Sequence, residues 1–211
     1  MEELKTAYLR VIILLDDISN YHKELENSGD DLNKKFRLLK DNFLSLDNLR
    51  QSFNYFDRII KQDKDLILRA KSLKKRLEFT NHLRNKISGH LDENLLQKAV
   101  QWEPHIFSIK CKEDSLYNSQ VILTYKTLLE SAINSYIDLN SNQKVFGTEI
   151  DLFYEPNRSL FFNYVGELND NSITFLKMIK MVIEEKTDFL DFYQVIAMCI
   201  KAGETDFNLR K

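Results

Sequence analysis

Four long stretches of this chain repeat apolar residues at intervals of three and four, with no glycine or proline inside them. Such a pattern places the apolar side chains on one face of a helix and cannot alternate in and out of a sheet. The first runs Leu4, Ala7, Tyr8, Val11, Leu15, Ile18, Tyr21, Leu25. The second runs Leu32, Phe36, Leu39, Phe43, Leu46, Leu49, Phe53, Phe56, Ile60. The third carries Leu66, Ala70, Leu73, Leu77 and Thr80, and the fourth Val121, Tyr125, Leu128, Leu129, Ala132 and Ile133. Only five glycines and two prolines occur in 211 residues, too few for the turns of a sandwich or barrel. The expectation is an all-α bundle of about six to eight helices.

Local signals punctuate the stripes. Gly29 reads as a C-terminal helix stop and Asp30 as the next N-cap. Asp47-Asn48 offers a break in the second helix. The third helix reads from about Asp65 to about Ser88, ended by Gly89, and Asp92 caps a short fourth helix with Leu95, Leu96 and Val100. Trp102–Cys111 is a connector in which His105–Ile109 reads as a short strand or as extended chain. A fifth helix is capped by Asp114-Ser115 and reaches about Leu139. Residues 140–157 are the least regular, followed by helices over about 158–184, with a break near Asn169–Ser172, and over 188–202. Phe36, Phe43, Phe53, Tyr125, Phe161, Phe175 and Phe192 are read as packing residues, because apolar stripes on amphipathic helices face a core.

The formal charge of −2 is unevenly spread: −2 over residues 1–60, +5 over 61–110 and −5 over 111–211. Cys111 and Cys199 are far apart and lack metal-ligand spacing, which points to a reducing compartment. The apolar run Val11–Leu15 ends at Asp16-Asp17, too short for a signal or a membrane span, so a cytoplasmic protein without membrane contact is expected. The chain has no phosphate-cradling glycine loop, nucleophile elbow or dinucleotide fingerprint. His82 and His90 lack a carboxylate at helical spacing on their face, so neither a metal nor a cofactor is expected.

One segment carries a chemical pattern: Leu83-Arg84-Asn85-Lys86-Ile87-Ser88-Gly89-His90. An arginine is followed by a polar residue and, six positions on, by a histidine, at the end of a helix. This resembles the signature of the HEPN superfamily. The resemblance covers about a dozen residues well and the flanking helices in a general way. It implies residues 1–139 as a HEPN-like helical bundle, with 140–211 as a C-terminal helical extension packed on the same domain. It also implies a homodimer whose paired motifs meet and cut RNA without a metal, in toxin–antitoxin or antiviral defence, with an antitoxin or regulatory protein as a further partner. On that reading Arg84, Asn85 and His90 are the catalytic residues. The same spacing recurs at Arg76 and His82, but there Leu77 follows the arginine and the pair lies inside a helical pattern.

The residue types suit phosphodiester cleavage by the adjacent 2′-OH. An imidazole titrates near neutrality and can take or deliver a proton. A guanidinium stays charged and can fork onto two phosphate oxygens, and the Asn85 amide can orient either. Along one uninterrupted helix Arg84 and His90 would point about 120° apart, and a left-handed turn at Gly89 would bring the chain back. From Lys61 to Lys86 nine basic residues face three acidic ones, and Lys71, Lys74, Lys75, Arg76 and Lys86 are the candidate RNA contacts. Two other readings fit the same residues: a catalytically inactive HEPN-like interaction module, and an unrelated helical adaptor. In the last, Arg84 pairs with a nearby carboxylate and His90 packs at a helix end.

Overall fold

The computed structural model describes residues 2–89, 92–107, 114–187, 191 and 193–196. His90, Cys111, Phe192 and Cys199, residues 108 and 109 of the strand alternative, and most of the helix read over 188–202 lie outside them.

The described residues include the α-helices α1 (Glu2–Glu26), α2 (Leu32–Ile60), α3 (Lys64–Leu83), α4 (Glu93–Trp102), α5 (Asp114–Asn134) and α6 (Glu155–Glu184), and residues 193–196, within the helix expected over 188–202, are also α-helical. A π-helical turn spans Arg84–Gly89 and a 3-10 turn spans Pro104–Phe107. The protein is an all-α helical bundle, and no strand occurs among the described residues. Of the stretch read as strand or extended chain, the part up to Phe107 is the 3-10 turn.

Short links make neighbouring helices antiparallel. Gly29 takes φ +53°, which lets the chain reverse after α1. The cap of α2 is Asp31, one residue beyond the expected Asp30, with Oδ1 accepting from the Lys34 N–H at 2.9 Å. Asp63 caps α3 by accepting from the N–H groups of Asp65 and Leu66. Helix α6 returns along α1, α2 and α3. Tyr8 reaches Glu184 and His22 reaches Asp170, so α6 runs antiparallel to α1. Asn42 meets Asn169 and Phe53 meets Phe175, so it runs parallel to α2 across the bundle. Helices α1, α2, α3 and α6 therefore form an up-down-up-down core, with α5 against α2 and α3 and α4 against α5.

The expected packing residues lie where the stripes put them. Phe36, Phe43, Phe53, Phe161 and Phe175 are buried, as are Leu66, Ala70, Leu73, Leu77 and Thr80 of α3. Each large side chain so buried contributes about 1.5–3 kcal/mol. The Phe53 and Phe175 rings stack with centroids 5.2 Å apart. Neither expected break occurs: α2 passes through Asp47-Asn48 and α6 through Asn169–Ser172 without interruption.

Helix α5 ends at Asn134, short of the expected Leu139. Asn134 there exchanges two hydrogen bonds with the Ile150 backbone, at 2.9 and 2.8 Å, which turns the chain out of the helix. Gln143 plugs the irregular segment that follows, donating to the Ile133 carbonyl and accepting from the Val145 and Phe146 N–H groups. Phe146 then packs edge-on against Phe79, Phe161 and Tyr164. On the far side, Lys126 lies 3.0 Å from both Glu103 and Glu130, tying the end of α4 to α5.

Candidate functional site

The site is built where the end of α3 meets the middle of α2. Leu83 and Ile87 are both buried, so the chain must keep one face on the core through this stretch. It does so as a π-turn, which admits one extra residue per turn and occurs frequently at functional sites. The turn is anchored to α2 by Ser88, whose hydroxyl donates to the Lys40 carbonyl at 3.2 Å.

Opposite the turn stands Asp47, with only 2% of its side chain exposed. Its Oδ1 accepts from Arg50 Nε at 2.8 Å and its Oδ2 from Gln51 Nε2 at 2.7 Å. Arg84 brings its Nε to 4.0 Å from Asp47 Oδ2, without a hydrogen bond, and donates from a terminal nitrogen to Asn85 Oδ1 at 3.0 Å. Asn85 donates to Asn81 Oδ1 at 3.3 Å, and Arg50 reaches the same Asn81 oxygen at 3.4 Å and Glu78 at 3.8 Å. The other terminal nitrogen of Arg84 has no partner among the described residues. One buried carboxylate, two guanidiniums and three amides thus form a continuous polar network at the surface of the bundle. A partly exposed guanidinium has the donor geometry to fork onto an anion such as a phosphate.

Lys86 and Asp92, on either side of His90 in the sequence, form an ion pair. The hydrogen bond from Lys86 holds the Asp92 carboxyl below the usual carboxylate range, with further help from the Leu95 and Asn94 N–H groups that Asp92 caps. The expected N-cap of α4 at Asp92 is therefore correct. The expected helix stop at Gly89 takes the form of the π-turn, not of a simple C-cap after Ser88.

The candidate RNA contacts divide in two. Lys71, Lys74 and Lys75 are exposed on α3, with no ion-pair partner among the described residues. Arg76 instead turns onto α6, donating to the Tyr164 carbonyl at 3.2 Å with its guanidinium 4.6 Å from the Tyr164 ring centroid. Lys86 is engaged by Asp92. The second Arg–His spacing separates in space: while Arg76 faces α6, His82 packs on α5, its Nε2 3.0 Å from the Ala132 carbonyl. Burial pushes the His82 imidazole below its ordinary value.

Sequence reasoning missed Asp47, Arg50, Gln51 and Asn81. A signal was present, since a carboxylate adjoins two core leucines, Leu46 and Leu49, in the middle of a strong stripe. Among the described residues, no three His, Cys, Asp or Glu side chains are grouped to hold a metal, and no helix is long and apolar enough to cross a membrane. Compared with known proteins, the chain matches no family model, no curated protein and no solved structure.

Proposed function

We propose that this protein is a HEPN-like, metal-independent endoribonuclease of toxin or phage-defence type, acting in the cytoplasm as a homodimer. The observation that carries the reading is the placement of Arg84. Its guanidinium lies at a π-turn between a buried carboxylate and Asn85, and the same turn carries Lys86, whose ion pair with Asp92 joins the two sequence flanks of His90.

In the proposed reaction Arg84 takes two oxygens of the scissile phosphate and stabilises the charge that builds on them. Asn85 orients the phosphate or the arginine. The His90 imidazole of one protomer accepts the proton of the RNA 2′-OH, whose oxygen bonds to phosphorus. The bond from phosphorus to the 5′-oxygen breaks, and the partner's His90 delivers a proton to that leaving oxygen. The products are a 2′,3′-cyclic phosphate and a 5′-hydroxyl. Two protomers supply the acid and the base that one histidine per chain does not supply together. An antitoxin or regulatory protein would restrain such an activity by covering the shared cleft.

Cleavage should persist in a chelator, because none of these groups needs a metal. A substrate with a 2′-deoxy sugar at the cut site should resist, and the products should carry cyclic ends. Loss of cutting on chelation, or linear 3′-phosphate ends formed without a cyclic precursor, contradicts the mechanism. A second reading, a helical interaction module without activity, is favoured by the approach of Arg84 to Asp47, which resembles a structural ion pair.

A further inference from the structure

The outer face of α2 lies open between α1 and α3, as a groove of about 910 Å³. That is within the range of about 300–1,000 Å³ typical of ligand sites. Its floor is the α2 face carrying Asn48, Gln51, Asn54 and Tyr55, all exposed. One wall is Arg10 and Ile13 of α1, and the other is Lys74 and Glu78 of α3.

We propose that this groove binds an unpaired stretch of RNA and leads it to Arg84; the assignment rests on the ribonuclease reading above. Three features support it. The first is a flat platform: the Arg10 guanidinium lies 3.8 Å from the centroid of the Tyr55 ring, and Tyr55 is 56% exposed. Aromatic rings and arginine planes are the surfaces on which unstacked bases settle. The second is the row of side-chain amides, each offering a donor and an acceptor that match the edges of bases. Gln51 gives one N–H to Asp47, which leaves its amide oxygen uncommitted.

The third feature is continuity with the site. Arg50 and Glu78 line the groove and also belong to the network around Asp47 and Asn81. Along α3, Lys71, Lys74, Glu78 and Asn81 follow one another at intervals of three and four, so they share one face, and Asn85 of the π-turn extends it by donating to Asn81. That face runs from the exposed lysines, past the groove, to the residue that holds Arg84. A phosphate backbone laid along it meets Lys71 and Lys74 first, while its bases turn towards α2. Glu78, the acidic group on this wall, lies within 3.8 Å of Arg50, which offsets its charge. Duplex RNA keeps its bases stacked and paired and so cannot present them to the amides.

The test measures affinity of a fluorescently labelled, unstructured oligoribonucleotide for the full chain carrying His90→Ala. Adding Tyr55→Ala should weaken binding by about tenfold, Tyr55→Phe should retain it, and the same RNA annealed to its complement should bind more weakly than the single strand. Lys74→Gln should lower the slope of log affinity against log salt by roughly 0.7. Equal affinity for Tyr55→Ala and the parent, or for single strand and duplex, overturns the proposal. His90-dependent cutting with unchanged Tyr55→Ala binding removes the groove and keeps the nuclease. Tyr55-dependent binding with equal cutting by wild type and His90→Ala removes the nuclease and keeps a single-strand groove.

Discussion

Asp47 shows how the wider fold can bury a charge that local sequence disfavours. It is a carboxylate inside an apolar stripe, and aspartate is a poor helix former, so on local grounds it reads as a break. Arg50 and Gln51, one turn away, donate to it and keep both the helix and the charge in place, with Arg84 approaching from the adjoining π-turn. Sequence periodicity carries no information about such partners. Asp47→Asn keeps the shape and removes the charge. It should lower stability by about 1.5–3 kcal/mol, measured by denaturant unfolding, and reduce RNA cutting by loosening Arg84. Unchanged stability would show that the pair with Arg50 contributes little. His82 makes a separate prediction. Its folded value is depressed by burial, so the unfolded chain takes up the proton first as pH falls. The stability it contributes is present above the ordinary histidine value, about 6.5, and is lost as pH falls below that towards its folded value. The melting temperature should drop over that window, and His82→Gln should flatten the drop.

At the scale of elements, the interior of each helix was legible and several of its ends were not. The inward residues of α3 follow directly from spacing, because the same face stays on the core for five turns. The π-turn that follows leaves the apolar spacing almost unchanged, with Leu83 and Ile87 both buried, so a stripe reads through it. Helix α6 begins at Glu155, before the expected 158, because Pro156 sits in its first turn, where a missing N–H costs nothing. In the uninterrupted middle of α6, Asn169 is fully buried and accepts from Asn42 of α2 at 3.1 Å. Asn42 Oδ1 and Asn169 Nδ2 have no hydrogen-bond partner there, so the pair is incompletely satisfied. Asn42→Leu alone should destabilise by about 1–3 kcal/mol, because it strands Asn169. The double change to leucine should recover most of that loss in a double-mutant cycle. Additive losses would show that the amides do not act as a pair.

For the whole molecule, the fold class was fixed by the stripes and the shortage of turn residues, and the bundle of α1, α2, α3 and α6 bears that out. The segment proposed as the site stands out in the sequence because arginine, amide and histidine types at a helix end are chemically conspicuous. The groove and the Asp47 network were not, since they depend on which helices lie side by side. The central claim is that the Arg84 segment cuts RNA. It is tested most directly by comparing purified wild type and His90→Ala on the same RNA, with circular dichroism confirming equal helix content. The account predicts that cutting by His90→Ala falls by about 100- to 10,000-fold with the fold intact. Equal cutting by the two proteins would contradict it and leave the helical interaction module as the reading of this chain.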